Sequence, residues 1–190
     1  IMNQLINNYF QKNFIEFDKI KFNKIKNPKK IEISIISDFN TSYLEEGIKK
    51  ILSYDNIDCN FLTTDYGTLS LKLENLQHPF WKNKSDIYIL LPALNFFNKI
   101  EINNIVRKYK NLWNAIDRPI IQTLFPLSTN KVLSYQDNVT KDGKDFQINL
   151  LNHKLIKQKR NNVDLIDLNY AYINFQKIKS ETILDYIADQ

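Results

Sequence analysis

The residue types able to do chemistry in this chain concentrate in one short stretch, Ser37-Asp38-Phe39-Asn40-Thr41-Ser42. Acyl transfer or hydrolysis needs a nucleophile, a base within hydrogen-bond reach and donors for the developing oxyanion. Ser42, Ser37 or Thr41 could attack, and Asn40 and Asn95 could donate to the oxyanion. Asp38 could orient a substrate or hold a cation. Each has a plainer reading beside it. Ser42 stands where a helix N-cap belongs, with Glu45 at capping-box distance, and Asp38 suits a turn carboxylate bonded to nearby backbone N–H groups. The base is the missing part. His78 precedes Pro79 in a loop and His153 falls inside a helical run, so neither is evidently placed to take a proton.

The elements around this stretch explain why it matters. Ile31, Ile33, Ile35 and Ile36 make a nearly continuous β-branched run, the pattern of a strand covered on both faces. A polar turn follows, then an amphipathic helix over Ser42–Tyr54 with Leu44, Ile48, Ile51 and Leu52 as its apolar face. Further strands are expected over Ile57–Leu62, Asp86–Leu91, Pro119–Phe125 and Val163–Leu168. Helices are expected over Ile102–Ile116 and Phe146–Lys159, while the type of Leu69–Leu76 stays open. Five strands separated by helical patterns indicate βαβ units in an α/β three-layer sandwich. Right-handed crossovers make the parallel five-stranded, flavodoxin-like order 2-1-3-4-5 the expected topology. Leu5, Ile6, Tyr9, Phe10, Phe14 and Phe17 recur at helical spacing, so residues 1–30 read as an N-terminal helical arm.

In such a sheet the carboxyl ends of the strands form the binding crevice. They bring together Ser37, Asp38, Asn40, Thr41 and Ser42 with Asp65, Asn95 and Thr123. Asp167 and Asn169 close the same edge. Asp38, Asp65 and Asp167 make only a weak set for a hard divalent ion, and no metal site is expected. The long segment after the fourth strand has the length of a functional loop.

Composition excludes several function classes. A hydrophobic share of 43% with 25% charged residues is that of an ordinary soluble globular chain. No apolar run approaches the roughly 20 residues that span a bilayer, so no membrane partner is expected. Ile1-Met2-Asn3-Gln4 lacks the basic head and apolar core of a signal peptide. The single cysteine, Cys59, forbids an internal disulfide and suits a reducing, cytoplasmic setting. The net charge of +5 comes from scattered lysines without aromatic interleaving, which argues against a nucleic-acid partner. Three glycines, none in a phosphate loop, leave no Walker A motif or dinucleotide fingerprint.

Several segments together resemble a known family. They are Ile36-Ser37-Asp38-Phe39-Asn40-Thr41, Asp65-Tyr66-Gly67, the run Trp81–Leu91, Leu151-Asn152 and Leu165-Ile166-Asp167-Leu168. The sequence over residues 25–170 resembles the N-terminal region of FkbH-like proteins. There an SGNH-hydrolase-like α/β domain precedes a haloacid-dehalogenase-like (HAD) phosphatase domain. The resemblance implies a role in polyketide or surface-polysaccharide biosynthesis, with an acyl carrier protein or a carrier-tethered glyceryl-like group as partner. It implies that residues 31–190 are the SGNH-like domain of a longer protein, an expectation that Ile1 preceding Met2 also favours.

Two departures qualify what the resemblance implies. No Asp-x-Asp-x-Thr phosphatase nucleophile occurs, so Mg and phosphoryl chemistry belong to a missing HAD domain and no cofactor is expected in this chain. Against the family's Gly-Asp-Ser, Ser37 replaces the glycine and Phe39 the nucleophilic serine. The late Asp-x-x-His pair has no match beside Asp167-Leu168-Asn169-Tyr170. Asn95 aligns with the oxyanion-hole asparagine, although Pro92 replaces the usual glycine. The expected reading is a binding or positioning domain with a degenerate triad. The alternatives are an esterase or acyltransferase with a rearranged nucleophile, Ser42 or Ser37, and a phosphate- or nucleotide-binding flavodoxin-like module.

Overall fold

The isoleucine run becomes the strand β1, Lys29–Ser37, and every residue of it from Ile33 onward is buried. A computed structural model describes residues 25–38, 40–65, 67–82, 84–92, 101–127, 139–141 and 143–168. The expected N-terminal arm through residue 24, Phe39, Tyr66, Asn95 and the tail from residue 169 lie outside the described residues. So does most of the long segment between the fourth strand and the last helix.

The remaining elements are α1 (Ser42–Tyr54), β2 (Ile57–Thr63), α2 (Leu69–Glu74), α3 (Pro79–Lys82) and β3 (Ile87–Leu91), followed by α4 (Ile102–Ala115), β4 (Ile120–Thr123), α5 (Lys144–Gln158) and β5 (Val163–Ile166). The fold is α/β, with an all-parallel five-stranded sheet in the order β2-β1-β3-β4-β5. The register sets Ile33 against Ile87 and Ile35 against Ile89. It continues through Ile89 to Ile121 and from Ile121 to Asp164. Leu69–Leu76, undecided from its pattern, holds the helix α2, whose Leu69 and Leu73 are buried.

The chain divides into two compact units, residues 1–30, 42–58 and 169–190 in one, and residues 31–41 and 59–168 in the other. In the first, α1 departs from expectation. Its buried residues are Gly47, Lys50 and Ser53, whereas Leu44 and Ile51 are exposed. The Ser53 hydroxyl folds back to donate to the Lys50 carbonyl at 2.6 Å. Lys50 buries its stem and pairs with Glu46 at 2.6 Å. The helix ends at Tyr54, and two residues on Asn56, with φ of 57°, takes the left-handed conformation that asparagine tolerates. The Asn56 side chain accepts from the Lys26 N–H at 3.0 Å and donates to the Lys26 carbonyl at 2.9 Å.

In the second unit one core joins the sheet to α2, α4 and α5. Ile36, Leu90 and Ile120 meet Tyr109, Leu112 and Trp113 of α4, and Ile148, Leu151 and Leu155 of α5. Trp113 is fully buried, and truncating a side chain of that size costs about 3–5 kcal/mol. At the amino edge of the sheet Ser34 and Ser85, both fully buried, share a 2.7 Å hydrogen bond. Ser85 passes its own proton to Glu32 Oε1 at 3.0 Å, which leaves Ser34 as the donor to Ser85.

Candidate functional site

The β1 ladder runs one residue past the strand, because the Asp38 N–H donates to the Leu91 carbonyl at 3.1 Å. That bond draws Asp38 under cover, at 2% exposure, beside Ser37 at 4%. Thr123, at the carboxyl end of β4, is buried to the same degree as Ser37. Asn40 is exposed and Thr41 half-buried at the exit of β1, and Asp65 is exposed beyond β2. Ser42 opens α1 in the other unit and is exposed.

Pairing and pleat sort these groups onto two faces. Ser37 stands opposite Leu91, and Leu90, one residue earlier, stands opposite Gln122. Ser37, Leu91 and Thr123 therefore share a row and a face. Asp38 falls on the other face with Ile36, which packs beneath α4. The hydroxyls of Ser37 and Thr123 and the carboxylate of Asp38 are thus held at one edge but presented on opposite sides of the sheet.

On the α4 side Asp38 meets Tyr109. Burial raises the Tyr109 phenol well above the usual tyrosine range, and the Asp38 carboxylate raises it further. The phenol is fully buried, and its hydroxyl has no hydrogen-bond partner among the described residues. One turn further along α4 the Trp113 indole N–H donates to Gln122 Oε1 at 2.9 Å. The Gln122 Nε2 donor and the Thr123 hydroxyl likewise find no partner among the described residues. A buried polar group left unpaired costs about 1–3 kcal/mol. Two at the end of β4 and one on α4 mark this edge as polar and, among the described residues, under-satisfied.

Neither histidine serves this edge. His78 Nδ1 accepts from the Phe80 N–H at 3.1 Å, ahead of α3 and the amino end of β3. His153 is exposed on α5. The weakly expected carboxylate set for a hard cation does not assemble, since no three His, Cys, Asp or Glu gather among the described residues. The edge thus gathers a carboxylate acceptor with amide and phenol donors, all of them buried. A proton-relay triad is not assembled from its described side chains.

Tyr109 and Gln122 were the groups missed by pattern reading. Tyr109 lies on the apolar face of a helix, where an aromatic reads as core. Gln122 did carry a signal, a polar residue within the apolar run Ile120 to Phe125. Asn152 anchors the same edge; its segment Leu151-Asn152 carries part of the resemblance, but its bonds to Phe125 show only in the structure.

No protein-family model and no curated relative matches this sequence. A solved structure does match in shape. It is the crystal structure of the N-terminal part of the protein BF1531 from Bacteroides fragilis, containing a phosphatase domain and complexed with Mg. The TM-score is 0.63 at 16% identity, and the match covers 83% of this chain and 45% of that one. The likeness is one of fold. This chain spans less than half the length of that neighbour. Among the described residues no helix is long and apolar enough to cross a membrane.

Proposed function

We propose that this chain is the SGNH-like α/β domain of an FkbH-type biosynthetic protein, degenerate at its own triad. It binds or positions a carrier-tethered, glyceryl-like acyl group, or the carrier itself, for a separate HAD phosphatase domain. The observation that carries this reading is the buried polar edge where the Asp38 carboxylate lies near Tyr109 and Gln122, whose phenol and Nε2 have no hydrogen-bond partner, and no imidazole, among the described residues. A glyceryl unit offers hydroxyls that donate to Asp38 and accept from Gln122 or Tyr109. The shape match to a protein that contains a phosphatase domain favours the same context.

The test uses glyceryl-pantetheine thioester as probe. A ligand that binds only the folded state raises the melting temperature, so the probe should raise it in the natural chain and not in Asp38→Ala. Pantetheine without the acyl group should do less. The reading fails if the probe is hydrolysed by the natural chain and spared by Ser42→Ala, which would make the protein an esterase. It fails equally if nucleotides or flavins shift the melting temperature and the probe does not.

A further inference from the structure

A groove of about 720 Å³ lies on the second unit between the start of α4 and the middle of α5. Ile102 and Leu150 contribute apolar walls, and Arg107 and Lys154 contribute cations. What sets these two cations apart is their pairing. Arg107 Nη2 donates to the amide oxygen of Asn104 at 3.0 Å, and Lys154 Nζ to that of Asn103 at 2.7 Å. Neutral amides fix both side chains in place without compensating their charge. Ion pairs form elsewhere, at Lys50–Glu46, Lys108–Glu74 and Lys159–Asp164. Glu101 also lines the groove, yet pairs with neither cation among the described residues. Lys110, Lys144 and Lys157 are also exposed on the same two helices, whose only acidic residue, Asp145, is buried.

We propose that the α4–α5 groove docks an acidic amphipathic protein segment, seating its carboxylates on Arg107 and Lys154 and an apolar residue on Leu150. Preset, uncompensated cations lower the ordering cost of association and attract an oppositely charged partner. Leu150 is 37% exposed, and an apolar contact of this kind between two cations suits a protein surface. Single-stranded nucleic acid would require aromatic platforms for its bases, and none lines this groove. The inference stands apart from the crevice reading, since it uses neither Asp38 nor Tyr109.

The probe is a short helical peptide with Glu at i and i+4 flanking Leu, against the same peptide with Gln for Glu. Titration into the 190-residue chain, followed by amide NMR, should show saturable shifts at Ile102, Arg107, Leu150 and Lys154. Arg107→Glu with Lys154→Glu should weaken binding about tenfold or more. Lys84→Glu, a charge change at an exposed position ahead of β3, should leave it unaltered, and circular dichroism should show each variant folded. Three results each overturn the proposal. They are no saturable binding, equal weakening by Lys84→Glu, and tighter binding of single-stranded DNA than of the acidic peptide at this groove.

Discussion

Asn152 holds the backbone of Phe125 with two hydrogen bonds, accepting from its N–H at 3.0 Å and donating to its carbonyl at 2.8 Å. A side-chain carboxamide thereby continues the pattern of a strand neighbour two residues beyond the end of β4. It fixes the chain where β4 leaves the sheet, next to Thr123 and the polar edge. Asn152 is itself buried, so both bonds are shielded from solvent.

Replacing Asn152 with Ala should lower stability by about 1–3 kcal/mol, since both polar groups of Phe125 lose their partner. Asn152→Asp should be worse than Asn152→Ala near neutral pH, because a carboxylate would face the Phe125 carbonyl. Urea unfolding of the three proteins settles the order, and an alanine variant of unaltered midpoint would remove the clamp from this account.

Tyr109→Phe should be neutral or stabilising by up to about 1 kcal/mol near neutral pH, because it deletes a buried hydroxyl that has no partner among the described residues. The sign with pH follows from linkage. The folded phenol is raised above its ordinary value of 10.0, so the native state keeps a proton that the unfolded chain releases. The contribution is whole below the unfolded value and is lost as pH rises through the folded one. The stability of the natural chain should therefore fall more steeply above about pH 10 than that of Tyr109→Phe. Tyr88, raised chiefly by burial, is present in both proteins and so does not contribute to the difference between them. Parallel alkaline limbs for the two proteins would contradict the assignment.

Ser85→Ala should cost about 1–2 kcal/mol, leaving Ser34 buried without its 2.7 Å partner. Removing both hydroxyls should cost less than the sum of the single changes, because the two sites form one network. A double-mutant cycle by thermal or urea unfolding measures this, and strict additivity would show that the hydroxyls act independently.

Asn56→Gly should retain the left-handed turn but lose the bonds to Lys26, whereas Asn56→Val should suffer both losses. A β-branched residue at positive φ adds roughly 1–2 kcal/mol of strain. Valine should thus be the less stable variant, by circular dichroism melting. Equal melting temperatures would mean that the turn relaxes to another conformation.

Much of the sheet was legible because its signals are local. The isoleucines of β1 and β3 declare buried parallel strands, and the helical periods between them dictate crossovers. Ser37, Asp38 and Thr123 were placed correctly at the carboxyl edge for the same reason. What was not legible depends on partners distant in sequence. In α1 Gly47, Lys50 and Ser53 are buried while Leu44 and Ile51 are exposed, which hydropathy read along the helix does not foretell. The separation of Ser37 and Asp38 onto opposite faces follows from the pleat, but only once the register is known. Tyr109 gains meaning from a carboxylate more than seventy positions away in the chain.

The two tryptophans give the chain a pair of intrinsic optical probes. Trp113 is sealed in the core with its indole N–H on Gln122, whereas Trp81 is half-buried against Phe80 and Tyr88, with its N–H on the Lys72 carbonyl. Trp113 sits beneath the carboxyl edge and Trp81 ahead of the amino end of β3, so their emission differs in colour and in access to quenchers. Substituting either one with phenylalanine would isolate the other. A change at the carboxyl edge could then be watched separately from loosening at the opposite end, with no label added.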